Sequence, residues 1–233
     1  MNLILLSPSK EMSDQQGTLS VNWSTNSYQV ATALQSLSLD DIQKQFHLSD
    51  KLALQTFHHH QHLFDKQALP AYQAYQGLAF RQIDWSNIQL DYAQEHLAIL
   101  SALYGLVRPL DPINPYRLDL KTPLKIQHTS LKNYWQKRIS QALEEQRIYN
   151  LASKEFFDLV NLPPQQIVQV DFYQDASLTK KAPSATCKKL RGALANHLLQ
   201  SQSFSWDTFS CFTFDQYQLS ATKSQKNHLI YHR

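Results

Sequence analysis

Only four glycines, Gly17, Gly77, Gly105 and Gly192, stand in this chain of 233 residues. Glycine supplies positive φ without steric cost, so chain reversal here falls mainly to proline-led turns and polar loops. The same scarcity excludes glycine-rich phosphate loops. Walker-type ATPases and dinucleotide-binding folds both need several glycines, so that backbone N–H groups can approach a pyrophosphate. Three of the nine prolines, Pro109, Pro112 and Pro115, fall between Arg108 and Arg117. They deny that stretch both a helix interior and a central strand, and predict a stiff loop over 108–117.

A chain of this size buries roughly 70 to 75% of the surface it exposes when unfolded, so it needs no disulfide or metal to hold a core. One compact domain spanning 1–233 is expected, and disorder over most of the chain is excluded by its 42% hydrophobic content. The formal charge of +3 excludes a histone-like polycation but allows a local basic site. Residues 1–180 hold 15 Lys/Arg against 17 Asp/Glu, whereas residues 181–233 hold 7 against 2. The last quarter is therefore the electropositive part. Cys187 and Cys211 fit neither a CxxC redox pair nor a zinc ligand set, which points to a reducing cytoplasm. Met1–Leu6 lacks a basic n-region and its apolar run stops at Ser7-Pro8, so no signal peptide is expected. No stretch approaches the roughly 18 apolar residues of a membrane span.

The run Leu3-Ile4-Leu5-Leu6 predicts a buried strand that feeds a turn at Ser7-Pro8-Ser9-Lys10. Helical spacing covers 27–37 and 40–47, with Ser38 or Asp40 as the N-cap of the second, and resumes after Ser49-Asp50. Two helices thus meet at a short turn near His47. Residues 89–107 carry Tyr92, Ala93, Leu97, Leu100, Leu103 and Tyr104 at intervals of three or four and predict a helix that ends at Gly105. Further helices are expected at 131–146, 153–160 and 184–199, a short strand or turn at 149–152, and strands at 168–173, 209–217 and 228–232. Strands and helices alternate along the chain, so the fold class is mixed α/β, or α+β.

Two constellations point to anion chemistry. Arg108 and Arg117 flank three prolines and Asp111, and a guanidinium held on a stiff loop loses less entropy on gripping a phosphate or carboxylate. The alternative is that both arginines only pair with Asp111 and Asp119 inside the fold. Lys188-Lys189-Leu190-Arg191-Gly192 places three cations near a helix start, where N–H groups and side chains attract phosphate together. The plainer reading is a solvated basic helix face. Lys10, just past the first strand, can converge on the same cleft.

Longer blocks of the chain resemble the YaaA peroxide-stress family. They include Leu6-Ser7-Pro8-Ser9-Lys10, Ser49-Asp50-Lys51-Leu52-Ala53, Ala74-Tyr75-Gln76-Gly77, and the long block Leu100 to Asp111 with Pro115-Tyr116-Arg117-Leu118. Asn150-Leu151-Ala152-Ser153-Lys154-Glu155-Phe156-Phe157 and Lys188 to Gly192 complete them, in family order over nearly the whole chain. The resemblance implies a cytoplasmic protein of the hydrogen-peroxide response that lowers unincorporated intracellular iron and binds DNA. It further implies a fold of the family's own, a positively charged cleft and a helix-hairpin-helix element, for which the helix pair within 38–62 is the candidate. It implies no enzymatic reaction and no cofactor.

Under that reading Lys10, Lys51, Arg108, Arg117, Lys188, Lys189 and Arg191 line one cleft for duplex or branched DNA. Ser7, Ser101, Tyr104, Asp111 and Tyr116 support them, and Tyr116, Tyr134 and Trp135 are candidates to stack on unpaired bases, although aromatics at helical spacing are more often core residues. A competing class is an enzyme acting on a small phosphorylated or nucleotide-like metabolite in the same basic pocket, with Ser7, Ser101, Tyr104 or Asp111 placed for proton transfer. An enclosed cavity holding Arg108, Arg117 and Arg191 favours the metabolite, and an open groove favours DNA. A third class is a regulator that only binds a partner. Iron draws attention to His58, His62 and Asp65, which share a helix face at i, i+4 and i+7, although a polar helix surface is the plainer reading and no metal is expected there.

Overall fold

A computed structural model describes all of residues 1–233. The chain opens with β1 (Asn2–Leu6), whose Leu3, Ile4, Leu5 and Leu6 are completely buried, as a strand with neighbours on both edges requires. Three helices follow: α1 (Thr25–Gln35), α2 (Leu39–Phe46) and α3 (Asp50–Gln61). Ser38 caps α2 in a reciprocal capping box with Asp41, which decides between the two candidate caps. His47 ends that helix in the left-handed region, at φ 52°, and α3 starts three residues later. The helix pair is real. Its use as a helix-hairpin-helix element is not established, and no glycine lies in its turn to present N–H groups to a phosphate.

The short strand β2 (Leu69–Pro70) leads into α4 (Ala71–Ala74), and α5 (Leu90–His96) is followed at once by β3 (Leu97–Ser101) and β4 (Gly105–Val107). A single helix over 89–107 is therefore incorrect. Leu97 to Ser101 are all buried, and a continuous apolar run fits a buried strand as well as a helix, so spacing alone misassigned it. The proline loop contributes β5 (Pro112–Ile113), which pairs with β2. Next come the hairpin of β6 (Lys125–Ile126) and β7 (Thr129–Ser130), the helix α6 (Leu131–Ala142), the strand β8 (Arg147–Leu151), the one-turn helix α7 (Lys154–Phe157) and β9 (Ile167–Tyr173).

Helix α8 (Ser184–Ser201) precedes α9 (Trp206–Cys211), β10 (Thr213–Phe214), β11 (Tyr217–Leu219) and β12 (His228–His232). The strand expected at 209–217 thus begins as a helix. Ser205 caps it by accepting from the N–H of Thr208, a local bond that competes with extended structure.

Eight strands form one sheet in the order β10-β11-β12-β9-β8-β1-β3-β4. The five from β12 to β3 run parallel, and β4, β11 and β10 close the edges antiparallel. Helices α5 and α8 pack together against β1 and β8, while α6 packs on β4. The result is one hydrophobic core in a mixed α/β domain. No helix is long and apolar enough to cross a membrane.

The order of the parallel strands fixes where a ligand can enter. From β1 the chain moves to β3 on one side, then returns to place β8 on the other side of β1. The crevice between the carboxyl ends of β1 and β8 is consequently a topological switch point, where connections leave in opposite directions and open a cleft.

Gly192 shows how closely α8 approaches this region. A Cβ built there would lie 1.9 Å from the carbonyl oxygen of Ala79, so its absence of a side chain serves packing against the turn before Phe80. Gly192→Ala is expected to destabilise the fold by about 1–3 kcal/mol, because the obstacle is backbone and cannot rotate away. A urea midpoint equal to that of the parent protein would contradict this contact.

Candidate anion-binding site

A cavity of about 560 Å³ occupies the switch-point crevice. Its floor is the end of β1 and β8, through Leu6, Ser7, Leu151 and Ser153. Ser7 ties the two strand ends together, its Oγ accepting from the N–H of Ser153 at 2.8 Å and donating to Ser153 Oγ at 3.1 Å. The walls bring in Lys10 from the turn after β1, Tyr116 and Arg117 from the proline loop, and Lys188 and Arg191 from α8. Residues from the beginning, the middle and the last quarter of the sequence therefore meet in one place.

The charges are mixed. Lys10 pairs with Asp119 at 2.5 Å, and Glu11 pairs with Arg81, while Arg117, Lys188 and Arg191 make no ion pair. Arg191 is half-buried, its Nε has no partner, and loss of solvent lowers its pKa from the ordinary guanidinium value. Arg117 and Arg191 are partly buried without an ion-pair partner and Lys188 is exposed at the rim, an arrangement that suits an anion. Glu155, from the first turn of α7, also lines the cavity, and its Oε1 is buried with no donor.

Behind this wall lies a buried polar layer. Tyr116 OH is 2.7 Å from Ser101 Oγ and 2.9 Å from Tyr75 OH, and burial pushes its pKa up to about 12. Tyr104 OH accepts from the N–H of Asn114 at 3.0 Å, and its ring stacks on Trp23. Ser101 and Tyr104 do not reach the cavity; they hold Tyr116 and the proline loop in place. The N–H of Arg117 donates to Nε2 of the fully buried His60 at 3.4 Å.

Of the residues expected to converge, Lys10, Arg117, Lys188, Arg191, Ser7 and Tyr116 do so. Arg108 does not. Its Nη1 donates to the carbonyls of Glu95 and Leu97, at 3.0 and 3.3 Å, and so closes the end of α5, where a cation is favourable. Asp111 accepts from the N–H of Arg108 at 2.8 Å and shapes the loop rather than the cavity. Neither expected ion pair, of Arg108 or Arg117 with an aspartate, forms through the side chains. Lys51 and Lys189 are exposed outside the cavity wall. The KKxRG run occupies the second turn and beyond of α8, since the helix starts at Ser184, and so its cations act as side chains apart from the helix terminus.

Tyr134 and Trp135 are buried and bonded, to Gln29 and to the Ala102 carbonyl, so neither is available for stacking. The rings of His58 and His62 lie 4.6 Å apart, but no group of three or more His, Cys, Asp or Glu side chains is arranged to hold a metal. Sequence reasoning missed Glu155 and Ser153 as cavity residues. Both sit in the block after β8, whose position beside β1 only the sheet order reveals.

The family model for "Peroxide stress protein YaaA" matches residues 2–223. The chain belongs to the YaaA peroxide stress protein family. A UPF0246 protein of Ruegeria pomeroyi is 30% identical over 99% of this chain and 98% of its own length. One of Francisella philomiragia is 28% identical over 99% of this chain and its whole length. A UPF0246 protein of Delftia acidovorans is 37% identical over 68% of this chain and 65% of its own length. Family membership places this YaaA-type chain among peroxide stress proteins, and the cavity at β1 and β8 is where its unpaired cations gather.

Proposed function

We propose that this YaaA-family protein serves the peroxide response by gripping DNA phosphates, in duplex or branched DNA, through the cavity and its basic rim, with little base readout. The observation that supports it is the convergence of Lys10, Arg117, Lys188 and Arg191 on one crevice, three of them without a carboxylate partner. Exposed Lys189 beside this set extends the positive rim. Limiting unincorporated iron belongs to the same proposal and is supported by membership of the peroxide stress family.

Phosphate contacts release condensed counterions, so log affinity falls with log salt by about 0.9 per contact. With two to four cations engaged, a slope between about −2 and −4 is expected when duplex binding is titrated by fluorescence anisotropy at several salt concentrations. A flat salt dependence, or no binding at low salt, contradicts the proposal.

The volume of the cavity favours a second reading, an enzyme or receptor for a small phosphorylated or nucleotide-like metabolite. About 560 Å³ is the size of small-molecule sites. Calorimetric titration with nucleoside monophosphates separates the two, because tight binding of a free mononucleotide at physiological salt belongs to the metabolite reading alone.

A further inference from the structure

The four cations that meet in the cavity are not equivalent. Arg117, Lys188 and Arg191 make no ion pair, whereas Lys10 is held by the carboxylate of Asp119 at 2.5 Å. Asp119 also lines the cavity, two residues beyond Arg117, so an acid faces the space that the other three cations prepare for an anion. Glu11, next to Lys10, does not take over its pairing, because that carboxylate is tied to Arg81. Lys10 therefore has one internal counter-ion, and a phosphate that reaches it takes that ion's place.

The pair can come apart while its surroundings stay fixed. The Lys10 and Asp119 side chains are 57% and 34% exposed, and an ion pair in that setting is held weakly, since water and salt screen it. The backbone on either side is anchored: the N–H of Gln76 donates to the Glu11 carbonyl at 3.0 Å, and the N–H of Thr122 donates to the Asp119 carbonyl at 3.1 Å. Release of Lys10 thus needs only side-chain rotation. Together with Arg117, Lys10 also lines an adjoining cavity of about 410 Å³ that Asp119 does not line. Once released, its ammonium group is free to serve an anion beside Arg117.

From this arrangement we infer that Asp119 is a competitor built into the site: its carboxylate occupies Lys10 in place of a ligand phosphate and so limits how tightly DNA is held. This rests on the DNA reading proposed for the same cavity and deepens it. When a phosphate displaces Asp119, one ion pair is exchanged for another and a carboxylate is left beside the bound strand, so Lys10 adds little to affinity or to counterion release. The parent protein then behaves as a three-cation site made of Arg117, Lys188 and Arg191. Neutralising Asp119 turns it into a four-cation site.

The test is duplex binding by fluorescence anisotropy at several salt concentrations, for the parent protein and a small set of variants. Asp119→Asn is expected to bind roughly threefold or more tightly at low salt and to steepen the salt slope by about 0.9, the share of one added phosphate contact. Asp119→Glu keeps the charge and is expected to keep the parent slope. Adding Lys10→Met to Asp119→Asn is expected to return both affinity and slope to those of the parent. Asp40→Asn is the matched control, since Asp40 forms a similar exposed pair with Lys44, at 2.6 Å, on α2 and outside both cavities; it is expected to change neither quantity. An unchanged slope in Asp119→Asn, or an equal gain in Asp40→Asn, overturns this inference and leaves the DNA reading standing. A gain that Asp119→Glu reproduces, or that survives Lys10→Met, does the same. Absence of duplex binding by the parent and by every variant overturns both.

Discussion

The double variant Arg117→Ala/Arg191→Ala is expected to bind paired duplex DNA on the order of a hundredfold more weakly at low salt, and to flatten the salt slope by about 2. Both guanidinium groups face the cavity and neither pairs with an acid, so in the free protein they lose little when removed. What disappears is two charge-assisted contacts to phosphate, each worth about 1.5 kcal/mol, the lower end of the range for partly solvated groups. Arg108→Ala is the control. Its guanidinium is spent on the carbonyls of Glu95 and Leu97, so truncation is expected to lower the unfolding temperature while leaving the salt slope unchanged. Calorimetry and anisotropy on the same samples separate the two outcomes. Should Arg108→Ala reduce the slope as much as the double variant, the binding surface lies elsewhere.

The second expected result is a loss of stability in mild acid, governed by His60. This ring is fully buried on α3, its Nδ1 has no partner, and burial pushes its pKa down from 6.5 to about 4. Above pH 6.5 the imidazole is neutral in folded and unfolded chains alike, and its contribution is constant. Between pH 6.5 and 4 the unfolded chain takes the proton and the folded one does not, so acid draws the equilibrium towards unfolding. Below about pH 4 both forms are protonated and the slope ends.

The shift of His60 corresponds to a loss on the order of 3 kcal/mol across that window. The half-buried His59 is lowered in the same direction, by burial first, so it adds to the effect with the same sign. Urea unfolding at pH 7.5, 5.5 and 4.5 on the parent protein and His60→Gln provides the measurement. The variant is expected to lose the larger part of the dependence, whereas parallel pH profiles contradict the assignment. Because His60 Nε2 accepts from the N–H of Arg117, protonation also withdraws a support of the cavity wall.

Different parts of the molecule were readable from the chain to different degrees. Strand β1 could be read from four apolar residues in a row, and α2 from its helical spacing behind Ser38 or Asp40, since both signals are local. Leu97–Ser101 could not be read correctly, because burial on both sides removes the polar alternation that distinguishes a strand from a buried helix. The start of the strand expected at 209–217 went the other way: a serine cap at Ser205 carries a helix through Cys211, and extended structure begins only at Thr213.

The cationic residues of the site show the same division. Lys188 and Arg191 were noticed because they cluster, and Arg117 because prolines surround it, but Arg108 looked equivalent to Arg117 on those grounds. The difference between them is where the chain aims each side chain: Arg108 turns back to the carbonyl end of α5, and Arg117 follows the buried Tyr116 to the cavity. Glu155 carried no signal at all in one dimension. A carboxylate in the first turn of a short helix is ordinarily a favourable surface residue.

Residue types and local spacing were enough to establish the mixed helix and strand content, the lack of glycine-built phosphate loops and the presence of candidate anion grips, and the resemblance of long sequence blocks pointed to the family. Which grips work together was decided by the strand order, which sets β8 beside β1 and opens a crevice at their carboxyl ends. The physical reason is one of range: caps, turns and periodicity act over a few residues, whereas the meeting of Lys10, Arg117, Glu155 and Arg191 depends on sheet pairings and a packed core that join distant parts of the chain.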